Sequence, residues 1–217
     1  MIYRFFYIAV IASFSMLANA QDCPSELDKG IKLINKIDGY SLEFRPVDNS
    51  LVSRSRISQP IGEVEQRQMA YGLLTLKVEN DGGKEIATHE ADLTDLIQLD
   101  ENHFWASKVV FSTQALDGST IRSDHGHNRL EYLDSTTHHI GECQYDVWHL
   151  LLRRTTLTNL DGSEIKLENS NTVFHARMVE FEVYWSPMLG ITLTHTLPGN
   201  AFEPGEWIVF DKIQQLF

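Results

Sequence analysis

The sequence predicts a mainly β protein, an antiparallel meander forming a curved sheet or half-barrel, with one helix at its amino-terminal end. Three observations point there. After Gly39 apolar residues recur at every second position: Val179, Phe181, Val183 and Trp185 alternate with Glu180, Glu182 and Tyr184, the signature of a strand with one buried and one wet face. Hairpin chemistry separates such runs, in Asn80-Asp81-Gly82-Gly83, Asp117-Gly118 and Asp161-Gly162, whose residues adopt positive φ at little cost. No crossover long enough for parallel pairing intervenes, so sequence neighbours are expected to pair in space.

In chain order, residues 1–20 read as a secretory signal peptide. Arg4 precedes an apolar run over 5–17 that is interrupted only by Ser13 and Ser15, and Ala18-Asn19-Ala20 is a small-x-small cleavage site. The run is shorter than the roughly 20 apolar residues of a spanning helix. The small residues stand before Gln21 rather than before Cys23, which argues against a lipid-modified cysteine. The expected division is a signal peptide over 1–20 and a single β-rich domain over 21–217, exported to the periplasm or the extracellular space. No triplet reads Asn-x-Ser/Thr, which fits a bacterial source.

The domain opens with a helix signal. Asp22 suits an N-cap, Pro24 falls in the first turn, Glu26 and Asp28 favour the positive helix end, and Leu27, Ile31 and Ile34 share one face before a stop at Asp38-Gly39. Strands are then expected over 41–45, 51–57, 64–71, 74–78, 105–113, 129–133, 143–147, 164–168, 179–185, 191–197 and 207–213. Leu93, Leu96, Ile97 and Leu99 break the alternation and suggest a short helix over 91–99; residues 200–205 read as a loop. A single sheet must cover its apolar face by curling or by folding into a sandwich. The amino-terminal helix is expected to serve as that cover.

Charge narrows the function classes. Eighteen Lys+Arg against thirty Asp+Glu give a net charge of −12, or −13 once Arg4 leaves with the signal peptide. Such a surface repels phosphate backbones and anionic head groups, so neither nucleic-acid binding nor stable membrane insertion is expected. Two cysteines in an exported chain predict a Cys23–Cys143 disulfide, which ties the amino terminus to the middle of the chain. A bridged Cys143 is not a nucleophile.

Two segments carry a family resemblance: Ile140-Gly141-Glu142-Cys143-Gln144-Tyr145-Asp146-Val147, and Val183-Tyr184-Trp185-Ser186-Pro187-Met188-Leu189-Gly190. They resemble exported bacterial β-rich proteins of unknown function, in which a Gly-led strand precedes a Trp-Tyr-Ser-Pro-x-Leu-Gly corner. Here the aromatic pair is reversed. The resemblance implies a curved antiparallel sheet, somewhat like the periplasmic lipoprotein carriers, and no catalytic residues. By its own chemistry the corner is a folding device, with Pro187 fixing φ for a turn and Trp185 packing beneath it.

The histidines are the one enrichment. Nine occur, five of them at His125, His127, His138, His139 and His149. His125 and His127 point the same way on a strand, and His138 and His139 come opposite them if 129–133 and 136–141 form a hairpin; zinc or copper would suit such a set. A bend at Gly126 would break the argument and leave a polar rim. His195, among Ile191, Leu193 and Leu197, reads as a hydrogen-bonded core histidine. Three functions follow: a curved sheet that holds an apolar small molecule or docks a protein partner, a metal-binding protein using residues 125–149, or a hydrolase whose catalytic residues no motif nominates.

Overall fold

Alternating side chains become paired strands throughout. The computed structural model describes residues 23–58, 61–159, 174–197 and 205–216. The signal peptide expected over 1–20, Asp22, Asp161-Gly162, the strand expected over 164–168 and most of the loop over 200–205 lie outside the described residues. Among the described residues twelve strands form one sheet: β1 (Ile31–Asn35), β2 (Tyr40–Pro46), β3 (Leu51–Ser58), β4 (Gly62–Ala70), β5 (Leu74–Asn80), β6 (Gly83–His89), β7 (Phe104–Gln114), β8 (Thr120–Ile140), β9 (Cys143–Asn159), β10 (Phe174–Ser186), β11 (Ile191–His195) and β12 (Lys212–Gln215). From β1 to β11 each strand lies beside its sequence neighbour, and β12 adds outside β1, giving the order β11-β10-β9-β8-β7-β6-β5-β4-β3-β2-β1-β12. Every pairing is antiparallel.

Two ties hold the curl of this open sheet. The turn after β4 meets the corner after β10: Trp185 Nε1 donates to the Tyr71 carbonyl at 2.8 Å, and Thr192 donates to the Gly72 carbonyl from its N–H (3.1 Å) and its hydroxyl (3.0 Å). Gly72 sits at φ +60°, and a Cβ there would run into the Gly190 carbonyl oxygen, so only glycine permits this approach. The second tie is the C-terminal segment. Ile208 N–H donates to the His195 carbonyl at 2.9 Å and Asp211 N–H to the Ile34 carbonyl at 2.8 Å before β12 pairs with β1.

The core divides in two. Ile31, Leu33, Leu42 and Phe44 pack with Ile140, Cys143, Tyr145, Val147, Ile191 and Ile213. Leu74, Leu96, Leu99, Trp105, Leu130, Leu150, Val183 and Trp185 form the second cluster. On β9 the odd positions Cys143, Tyr145 and Val147 serve the first and the even position Leu150 the second, so one strand gives opposite faces to two cores. On β8 the register shifts between Tyr132 and Asp134. One extra residue exchanges the faces, which is why Leu130 and Ile140, both even, reach different clusters.

Several expectations are corrected. The amino-terminal helix does not form: residues 31–35 are β1, with Ile31, Leu33 and Asn35 buried between half-buried Lys32 and Ile34, a period of two. Gly30 turns into that strand at φ +95°, where a Cβ would stand 2.7 Å from the Phe44 carbonyl oxygen. The helix's expected role as cover falls to the sheet's own curl. Helical structure among the described residues is the 3-10 turn Leu93–Gln98 and the single α-turn Leu99–Asn102, where a short helix was expected. The hairpin between 129–133 and 136–141 on which the metal reading depended does not form: both segments belong to unbroken β8, which pairs with β7 and β9. The last strand begins at Lys212, preceded by an isolated bridge between Thr196 and Trp207. The Cys23–Cys143 disulfide is present, with Cα atoms 5.5 Å apart.

Candidate functional site

Register decides which polar side chains enter the concave face. Arg54 of β3 stands directly opposite Arg67 of β4, and like charges so placed repel. Glu65, two residues before Arg67 and therefore on the same face, bridges them. Its Oε1 accepts from Arg54 Nη2 at 2.9 Å and Arg67 Nε at 2.6 Å, and its Oε2 from Arg67 Nη2 at 2.8 Å. From the other wall comes Arg154 of β9, cross-strand from the fully buried Asn128 of β8. Its guanidinium lies over the Phe111 ring, 4.9 Å from the centroid, and it makes no ion pair among the described residues.

These groups share an unusual condition. Arg54 Nε, Arg154 Nε, both ring nitrogens of His89 and both polar atoms of the Asn128 amide are buried without a hydrogen-bond partner among the described residues. Tyr145 Oη is the other described side-chain atom in that state. Buried polar atoms are ordinarily paired. His89 belongs to the same wall, cross-strand from Val109 and tilted against Trp105 with centroids 5.4 Å apart.

Arg54 and Arg154 face a trough of two adjoining hollows. One, about 390 Å³, is walled by Met69, Leu152, Phe181 and Val183, with Arg54 and His195 set into it. The other, also about 390 Å³, is lined by polar residues including Lys77, Asn80, Lys84 and Glu85. Arg67, Thr75 and Arg154 belong to both and mark the junction.

Burial and mutual repulsion shape the electrostatics. Burial, followed by the neighbouring Arg67 charge, lowers the Arg54 pKa to about 10 despite Glu65. Burial likewise lowers Arg154. His195 falls to about 4 through burial and then through Arg54 and Arg67, and His89 to about 4 through burial and then Arg154. Burial would raise Glu65, but its bonds to Arg67 and Arg54 outweigh that and hold it below the ordinary carboxylate value. In a chain of net charge −12, this face is locally cationic.

The four histidines expected to ligate metal do not converge. His125 and His127 do share one face, because β8 passes straight through Gly126. His138 and His139 lie on the same strand, more than ten residues further along and thus roughly 35–45 Å away at about 3.3 Å per residue. His138 pairs with Tyr145 and His139 with Gln144. No group of three or more His, Cys, Asp or Glu able to hold a metal ion occurs among the described residues. His149 accompanies carboxylates instead: its Nε2 is 2.9 Å from Glu182 Oε2 and its Nδ1 3.7 Å from Asp134 Oδ1, beside Tyr184, whose ring stacks on Trp207. Ser186 is fully buried and its hydroxyl accepts the Leu189 N–H at 3.3 Å, a turn role.

Sequence reasoning passed over the arginines. The available signal was parity: Arg54 follows Val52, Arg67 precedes Met69, and Arg154 follows Leu150 and Leu152 at strand spacing, all on the sides those apolar residues bury.

No family model matches the chain, and no curated protein does. Among solved structures it is similar to the hypothetical lipoprotein YmcC from Escherichia coli K12, at 9% identity over 85% of this chain and 84% of that one, with a TM-score of 0.43. A likeness of that size says nothing about activity.

Proposed function

We propose that this is a non-catalytic binding protein, exported from the cytoplasm, whose curved sheet shelters the apolar part of a small molecule. The observation that carries the reading is the hollow of about 390 Å³ on the concave face, with Met69, Leu152, Phe181 and Val183 on its walls. Small-molecule sites are concave, mainly apolar and furnished with a few convergent polar groups, and Arg54 and His195 supply those. The Cys23–Cys143 bridge supports export, since disulfides persist in oxidising compartments. No helix among the described residues is long and apolar enough to cross a membrane.

The test is binding of a neutral apolar dye such as N-phenyl-1-naphthylamine, followed by its fluorescence. Saturable binding that Leu152→Gln and Phe181→Gln each weaken supports the reading. Absence of saturable binding, or binding indifferent to both substitutions, refutes it.

A further inference from the structure

We infer that the molecule held in the trough is an acidic amphiphile, its phosphate or carboxylate seated between Arg67 and Arg154 and its chain lying along Leu152 and Phe181. This rests on the binding reading above and adds the chemistry of the head group. Arg67 and Arg154 project from opposite walls to the junction of the apolar and the polar hollow. A ligand placed there has its charged group at the boundary, its tail on one side and any polar extension on the other.

Charge balance argues for an anion. Arg54, Arg67 and Arg154 are answered in the trough by Glu65, which Arg54 and Arg67 share, and by the exposed Glu85. A cationic surplus remains in a strongly acidic protein, where a purely structural arrangement would gain nothing by concentrating it. Satisfaction argues the same way. The Nε donors of Arg54 and Arg154, both of which line the apolar hollow, are buried without a partner among the described residues, and Arg54 is only 12% exposed. An incoming oxyanion supplies acceptors to such donors, and planar guanidinium groups match phosphate and carboxylate geometry. A neutral lipid or a cation would leave them as they are.

Calorimetric titration of the purified protein decides. Octyl phosphate, octanoate, octanol and inorganic phosphate are compared on the wild type, on Arg154→Gln and on Arg45→Gln, an arginine outside the trough. The expected result is that octyl phosphate or octanoate binds at least about tenfold more tightly than octanol, whichever is tighter naming the head group, since hydrogen bonds to charged groups contribute about one to two powers of ten. Arg154→Gln should remove that preference and Arg45→Gln should not. Equal binding of octanol and both acids overturns this inference while leaving the apolar-binding reading intact. Inorganic phosphate binding as tightly as octyl phosphate sinks the apolar reading instead, and no binding by any probe sinks both. Should Arg154→Gln fail to fold, salt substitutes: raising sodium chloride from about 50 to 500 mM should weaken the acid several-fold and leave octanol unchanged, and an unchanged acid affinity overturns the inference.

Discussion

Glu65→Gln isolates the electrostatics of the trough. The substitution keeps the shape of the side chain and removes the carboxylate that bonds both Arg54 and Arg67. The two guanidiniums then face each other across β3 and β4 with repulsion unanswered. At an effective dielectric near 20, a unit pair at about 4 Å interacts by roughly 4 kcal/mol, and removing one partner of a buried pair costs about 3–5 kcal/mol. The side chains are 12% (Arg54), 21% (Glu65) and 32% (Arg67) exposed, so solvent screens part of this, and glutamine retains one acceptor. A loss of about 2–3 kcal/mol at pH 7 is expected, read from urea unfolding. The sign with pH follows. Glu65 has a folded pKa below its ordinary value, so its contribution is complete above the unfolded pKa and disappears as pH falls through the folded one. Wild-type and variant stabilities should therefore converge in acid. A loss under about 0.5 kcal/mol at pH 7, or a gap that persists in acid, would refute the argument that Glu65 relieves an arginine pair.

Other outcomes are expected from the same structure. Reducing the Cys23–Cys143 bridge, which spans 120 residues, should destabilise by at most about 5 kcal/mol in the chain-entropy model, measured as the shift in urea midpoint of a double Cys→Ser variant. Gly72→Ala should cost about 2–4 kcal/mol, because it adds a Cβ at positive φ and breaks the tie to Gly190 and Thr192; an unchanged melting temperature would show the tie to be dispensable. His89 and His195, lowered to about 4 when folded, bind protons more readily when unfolded. Stability should thus fall between pH 7 and pH 5 by about 2 kcal/mol for His195 and by less for the half-buried His89, whose interactions solvent screens, and His195→Asn should remove its share from the stability–pH curve.

What the sequence determined by itself was period. Alternation located β2, β3, β4, β5, β7 and β11 within one or two residues of their observed bounds, and the second half of β10, because an apolar residue at every second position has no other way to bury one face. Turn chemistry at Asn80–Gly83 and Asp117-Gly118 placed two hairpins, and two cysteines in a chain read as exported predicted the bridge. Period fails where a run is short. Leu27, Ile31 and Ile34 satisfy a helix and Ile31, Leu33 and Asn35 a strand, and the choice fell to pairing with β2 and β12, neither of which is local. It failed again across β8, where a polar 21-residue strand is held by neighbours on both sides rather than by its own pattern. The trough lay furthest from the sequence. Arg54 and Arg67 meet through register, and Arg154 joins them only because the ties at Gly72 and Ile208 curl β9 toward β4. An alternating pattern states which way a side chain turns; what it turns toward is a property of the curled sheet.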